Sequence, residues 1–123
     1  MVNNFWKIAS IMAFGAVAVF AADTGKTVTV NGWVLDSACA FTKGLTKPIS
    51  RDCALACAKA GSPLVILQSD GSIYWPIADT MPAASQNSRL TPYAGKQVTA
   101  SGKLYARGGS NAMVIETIKE ATH

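Results

Sequence analysis

The residues best suited to chemistry in this chain are its three cysteines, Cys39, Cys53 and Cys57. Cys53 and Cys57 are four residues apart and would share one face of a helix, whereas Cys39 lies well before both of them. Three sulfurs can form a disulfide, bind a soft metal ion or take part in thiol exchange. The spacing of the cysteines alone leaves these three possibilities open.

A structural disulfide is the first interpretation. Thiols outside the cytoplasm tend to oxidise, and Cys39 would bond to Cys53 or to Cys57, with Cys53 slightly favoured because it lies nearer the intervening loop. Closing a loop of about 15 residues would stabilise a small domain by ~3 kcal/mol in the chain-entropy model. The third cysteine would then be a small apolar residue of the interior.

A soft-metal thiolate site is the second interpretation. Cys39, Cys53 and Cys57 could suffice for Cu(I), whereas Zn(II) would need a fourth ligand, for which Asp36 is the nearest oxygen donor in the sequence. The single histidine, His123, is terminal and supports no such site. A reversible disulfide with a resolving thiol is the third interpretation, although the chain has no C-x-x-C motif.

Other catalytic arrangements lack the residues they need. With no internal histidine, the chain cannot form a Ser-His or Cys-His couple, and no glycine-rich loop of the phosphate-binding type occurs. The net charge is +4, but the lysines and arginines are spread along the chain rather than clustered. We therefore expect a protein that is not an enzyme, needs no cofactor unless copper or zinc binds the thiols, and does not bind nucleic acid.

The N-terminal segment has the order of residues typical of a secretory signal peptide. Lys7 is followed by an uncharged apolar run at 8–22, which ends in small residues just before Asp23. We predict a signal peptide at 1–21 and a single domain at 22–123. Fifteen residues at about 1.5 Å each span only ~22 Å, less than the ~30 Å of a hydrocarbon core, so cleavage is favoured over retention as an anchor. In either case the domain is expected to be periplasmic or extracellular.

The rest of the chain predicts five strands and one helix. Ser50 is a suitable N-cap for a helix at 51–60, in which Cys53 and Cys57 share a face and Ala56 and Ala60 line the adjoining, packing stripe. Segment 37–49 has no periodicity and is predicted to be a loop, and segment 79–90 is compatible with one helical turn or a long loop. The predicted strands, most of them showing alternation or bounded by turn residues, are 27–36, 63–68, 73–77, 97–105 and 111–118.

Five short strands are too few for a two-sheet sandwich. The predicted fold class is therefore mainly β, a five-stranded OB-like partly open barrel with one short helix between strands 1 and 2. An open α+β sheet is the rival arrangement.

Several motifs resemble those of a group of small exported bacterial proteins without an established activity. In that group a D-S-x-C motif precedes a C-x3-C helix, and the chain finishes with a Y-x-G-K-x-V-x-x-x-G hairpin; the matching segments here are GWVLDSAC at 32–39, CALACAKAG at 53–61, DGSIY at 70–74 and YAGKQVTASG at 93–102. The resemblance implies export and an OB-like fold for nearly all of the mature chain. Members often carry a histidine soon after the first cysteine, which this chain lacks.

Five aromatic residues could form a ligand face of the kind that OB folds use, although packing in the interior explains most of them better. They are Trp33, Tyr74, Trp75, Tyr93 and Tyr105. Taken together, the sequence predicts an exported, non-enzymatic binding or accessory domain of the cell envelope, held by a disulfide, whose partner is an unidentified envelope protein or polymer. The alternatives are a soft-metal (copper or zinc) thiolate protein and, if the N-terminal segment is retained in the membrane, a single-pass accessory subunit of a membrane complex.

Overall fold

The structure, a computed structural model, describes residues 25–122. The predicted signal peptide and His123 lie outside the described residues. In chain order the elements are β1 (Lys26–Asp36), α1 (Ser37–Thr42), α2 (Arg51–Lys59), β2 (Leu64–Leu67), β3 (Ile73–Pro76), α3 (Asn87–Leu90), a 3₁₀ turn (Thr91–Tyr93), β4 (Gln97–Arg107) and β5 (Ser110–Glu120).

The five strands form a closed barrel in the order β1-β2-β3-β5-β4. All neighbouring pairs are antiparallel except β3 and β5, whose parallel pairing joins the two hairpins β2-β3 and β4-β5. The eleven-residue β1 pairs with β4 along most of its length and with β2 at its end, so it borders both hairpins. The prediction of a mainly β, five-stranded barrel with a helix between strands 1 and 2 is confirmed, and the barrel is closed rather than partly open.

Alternation along the strands fills the inside of the barrel with apolar side chains. On β1 the inward residues include Val30 and Val34, and they pack with Leu64 and Ile66 of β2 and with Met113 of β5. Burying such side chains is the main favourable contribution to folding a domain of this size. The period-two pattern of the sequence therefore corresponds to the interior of the barrel.

A second apolar cluster lies on the outer face of strands β1, β2 and β3. Leu35 of β1 packs there with Val65 and Leu67 of β2, and Ala40 of α1 covers them. As a result all four residues of β2 are buried, because the barrel covers one face of the strand and the outer cluster covers the other. This explains why β2 is a continuous apolar run rather than an alternating one.

The region between β1 and β2 contains two helices. Segment 37–49 was predicted to be a loop, but its first part is the six-residue helix α1. Helix α2 begins where the sequence predicts, with the Ser50 hydroxyl accepting a hydrogen bond from Cys53 N at 3.2 Å. Its packing face was predicted wrongly: Ala54 is the buried residue, whereas Ala56 and Ala60 are exposed.

Segment 79–90 is irregular until it reaches α3. There the side chain of Asn87 accepts a hydrogen bond from Leu64 N and donates one to Ser62 O, both at 2.9 Å, and the side chain of Leu90 is buried in the barrel core. These contacts tie the second half of the segment to the start of β2. Within residues 25–122, no helix has the length and apolar character needed to cross a membrane.

Candidate thiol site

The three cysteines lie on the two helices that cover one end of the barrel. Cys53 and Cys57 are on α2, as predicted, but Cys39 is in the first turn of α1, inside the segment that was predicted to be a loop. The reason is the N-cap: the backbone of Asp36 is extended, and its Oδ2 accepts a hydrogen bond from Cys39 N at 3.1 Å. The aspartate at the end of β1 thus starts the helix that carries the first cysteine.

Asp36 is the one buried charged residue among residues 25–122, with 1% of its surface exposed. A buried carboxylate is costly unless it is hydrogen-bonded, and Asp36 accepts from the backbone and thiol of Cys39. The hydrogen bond of the thiol to Asp36, followed by burial and the negative charge of Asp36, raises the pKa of Cys39 from 9.0 to about 11. Cys39 is therefore held as a neutral thiol near neutral pH.

The other two thiols share this environment. Hydrogen bonding and charge interaction with Cys53 contribute further to the raised pKa of Cys39, so these two sulfurs are neighbours. Burial raises the pKa of Cys57, with smaller contributions from the charge of Asp36 and from Cys53. The structure thus brings together the four residues that the sequence selected as candidate ligands.

Being close together does not make these residues a metal centre or a disulfide. All three cysteines are free thiols in the structure. Among residues 25–122, no group of three His, Cys, Asp or Glu side chains is arranged to hold a metal ion. The predicted disulfide, of Cys39 with Cys53 or Cys57, therefore stays a prediction, and the copper or zinc alternative would require the side chains to rearrange.

A cavity of about 220 Å³ lies beside Cys39 and Cys53. It is open on one side and is lined by α1, by segment 43–50 and by the first turn of α2, and Asp36 forms part of its wall. Lys43 and Lys47 also line it, and hydrogen bonding to Lys43 together with its positive charge lowers the pKa of Lys47. The cavity therefore combines two neighbouring thiols, a buried carboxylate and two ammonium groups.

The five aromatic residues do not lie on one surface. Tyr74 and Tyr93 pack against the barrel core, and the Tyr93 hydroxyl donates to Ile118 O at 3.3 Å. Trp33 and Trp75 belong to the outer cluster instead. Tyr105 is half-buried on β4, where it pairs with Ala112 of β5.

Phe41 is an aromatic residue that the sequence analysis did not select. It is exposed on α1, and its ring lies 5.8 Å from that of Trp75. It could not be selected from the sequence, because the exposure of its side chain depends on α1 and that helix was not predicted.

The function of the chain has to be argued from the chemistry of this site. Comparison with protein-family models, with curated proteins and with solved structures found no match.

Proposed function

We propose that this chain is an exported, non-enzymatic binding domain of the cell envelope, in which a disulfide between Cys39 and Cys53 ties α1 to α2 beside the cavity. The observation that carries the proposal is the position of both cysteines in the wall of one cavity of about 220 Å³. A cavity with a few polar groups is the usual form of a small binding site. The order of the strands and the single parallel closure support an OB-like barrel as its scaffold.

Cys53 is a better partner for Cys39 than Cys57 is. Cys39 and Cys53 both line the cavity and interact through their thiols, whereas Cys57 lies one turn further along α2. Two cysteines at i and i+4 of one helix are poorly directed to bond each other, which argues against a bond between Cys53 and Cys57. The cross-link would close the wall of the cavity and leave Cys57 as a free thiol.

The acidity of the thiols favours a structural role over a catalytic one. A thiol with a pKa of about 11 is a weak nucleophile and a weak metal ligand at neutral pH. Cys53 is exposed, so it is the natural point of attack on the disulfide of an oxidising thiol-disulfide oxidoreductase. Cys39 then attacks Cys53 Sγ of the mixed disulfide through its small thiolate fraction, a slow step that has to occur only once, so that the two cysteines lose two protons and two electrons and the oxidoreductase is released as a dithiol.

Intact mass of the protein recovered from its native compartment tests the proposal. We expect loss of residues 1–21 and of two hydrogens, and alkylation of the unfolded, unreduced protein at Cys57 alone. Three alkylated cysteines without bound metal would contradict the disulfide. Three free thiols with an added copper or zinc mass would favour the soft-metal alternative, and a retained Met1 would favour the single-pass accessory subunit.

Thermal and chemical unfolding test the cross-link separately. Under oxidising conditions Cys39→Ser should lower the free energy of unfolding by about 3 kcal/mol, because the loop between the two cysteines is no longer closed in the unfolded chain. Cys57→Ser is the matched control and should keep most of the stability. If Cys39→Ser melts like the unchanged protein, the disulfide has no part in the fold.

A further inference from the structure

Large apolar side chains are exposed at three positions within residues 25–122. They are Phe41 at 65%, Leu45 at 42% and Met81 at 84%. Two of the three lie four residues apart in segment 41–47, FTKGLTK, which we call the basic apolar segment. Single exposed apolar residues are ordinary, so the pair carries an argument only together with the charges beside it.

The basic apolar segment itself carries only positive charge. Lys43 and Lys47 are both exposed there, and the sequence contains no acidic residue between Ser37 and Arg51. Asp36, the acid that precedes it, is buried below α1. The lowered pKa of Lys47, which results from its closeness to Lys43, agrees with two ammonium groups held near each other. An anionic surface would relieve their repulsion.

Hydrogen bonds hold the segment in shape. The Thr42 hydroxyl donates to Ala38 O at 2.7 Å, and the backbone N–H groups of Lys43 and Gly44 both donate to Cys39 O. The N–H of Thr46 donates to Lys43 O at 3.1 Å, which forms a tight turn. Because the backbone is already ordered, docking of the segment would cost little conformational entropy.

The outer apolar cluster contacts the basic apolar segment through Phe41. The ring of Phe41 lies against that of Trp75, and Trp75, like Trp33 and Ile73, packs against the buried residues of the outer cluster. The aromatic residues on this side of the barrel are half-buried rather than enclosed. Tryptophan and phenylalanine with neighbouring lysines are typical of protein surfaces that lie at the lipid–water interface.

We propose that the basic apolar segment docks on an anionic lipid bilayer, with Phe41 and Leu45 entering the interfacial region and Lys43 and Lys47 contacting lipid phosphates. Charge complementarity selects the anionic surface, since the segment carries two cations and no acid. The apolar pair distinguishes a bilayer from an anionic polymer, which would bind the lysines but leave Phe41 and Leu45 in water. The docking does not require the disulfide, and it uses Lys43 and Lys47, which also line the cavity.

Vesicle binding tests the proposal with the protein in the form recovered from its native compartment. The unchanged protein should bind vesicles of phosphatidylcholine and phosphatidylglycerol, release them at high salt, and bind pure phosphatidylcholine weakly. Removing both charges with Lys43→Gln and Lys47→Gln should lower the partition coefficient on the anionic vesicles roughly 30-fold. The pair Phe41→Ser and Leu45→Ser should lower it about tenfold or more.

Matched controls separate the segment from the charge of the whole domain. Lys103→Gln with Lys119→Gln removes two exposed lysines from the barrel, and Met81→Ser removes the third exposed apolar residue. Both controls should bind within about twofold of the unchanged protein. All variants are compared in the same processed form, so that any contribution of the N-terminal segment is common to them, and a melting curve confirms that each is folded.

Four results would overturn the proposal. Binding without preference for phosphatidylglycerol would remove the role of the lysines. If the variant with Phe41→Ser and Leu45→Ser binds as strongly as the unchanged protein, the lysines alone bind the surface, as they would bind an anionic polymer. An equal loss in the Lys103→Gln and Lys119→Gln control would assign the effect to net charge, and absence of any vesicle binding would leave a protein partner as the occupant of this surface.

Discussion

The barrel and the helical region between β1 and β2 are held in different ways. Strands β4 and β5 pair along almost their whole lengths, and the long strands β1, β4 and β5 are specified both by their ladders and by the alternation of their side chains. The helical region, residues 37–60, depends on a few single contacts, such as Asp36 with Cys39 N and Arg51 with Ala94 O. Many independent interactions therefore specify the barrel, whereas few specify the region that carries the thiols.

The barrel is therefore expected to provide most of the stability of the domain, and the helical region its chemically active groups. The cysteines, the cavity and the basic apolar segment all belong to the helical region, where only Ala40 and Ala54 are buried and the other side chains are exposed or half-buried. Functional groups are often found on connecting segments that a rigid scaffold positions. Changes in the barrel should therefore affect folding most, and changes in the helical region should affect the site while the fold persists.

The largest effect is expected at the bulge between β4 and β5. A Cβ atom at Gly102 would overlap with the carbonyl oxygen of Val114 on the neighbouring strand, at the point where the register shifts. Gly102→Ala should therefore lower the free energy of unfolding by about 3 kcal/mol, measured by denaturant titration. Lys103→Ala, the exposed neighbour on β4, should stay within about 0.5 kcal/mol of the unchanged protein. Equal stability of the two variants would show that the close approach of β4 and β5 at Gly102 does not constrain the barrel.

A smaller effect is expected where α2 meets the barrel. Ala54 is buried against the core, so Ala54→Leu should cost about 2 kcal/mol through overpacking. Ala56→Leu, two residues away on the exposed side of the same helix, should change stability by less than about 0.5 kcal/mol. Comparing the melting curves of the two variants identifies the packing face of α2. If Ala56→Leu were the less stable variant, the packing face would be the one with Ala56 and Ala60 that the sequence predicted.

The smallest effect is expected from the titration of Cys39 in the reduced protein. Its pKa is raised in the folded state, so the stability that the neutral thiol contributes is full below pH 9, the ordinary value, and is lost as the pH rises through about 11. The stability of the unchanged protein relative to Cys39→Ala should therefore fall between these values. Asp36→Asn should lower the pKa of Cys39, seen as alkylation of Cys39 at lower pH, because the hydrogen bond to the carboxylate is the largest cause of the shift.

The control for this titration is Cys57→Ala, because burial also raises the pKa of Cys57. The pH dependence assigned to Cys39 should persist in that variant. If Asp36→Asn leaves the alkylation profile of Cys39 where it was, the carboxylate does not govern the thiol.

The strands and α2 could be predicted because their signals are local. Alternation identified β1, β4 and β5, and the turn at Gly108 and Gly109, both with positive φ, joins the last hairpin as expected. Ser50 and the charges near the ends of α2 located that helix correctly. Helix α1 was missed because it is one and a half turns long and its cap, Asp36, is also the last residue of a strand.

The candidate site could be predicted in composition but not in geometry. The sequence selected Asp36, Cys39, Cys53 and Cys57, and the structure brings these four together. The packing face of α2, the cavity and the exposure of Phe41 and Leu45 were not predictable, because each depends on how two helices lie on the barrel rather than on a period within one segment.

The sequence by itself determined the order of the five strands and of α2, the alternation that turns Val30 and Val34 inward, and the presence of three sulfurs between the end of β1 and the end of α2. Only the tertiary structure decided that β3 pairs with β5 to close the barrel, that a second apolar cluster covers its outer face, and that the Cys39 and Cys53 thiols meet at a cavity. The physical reason is the distance along the chain over which each effect acts. Backbone preference and side-chain periodicity act within a few residues, whereas strand closure and burial of a carboxylate depend on groups that are distant in the chain.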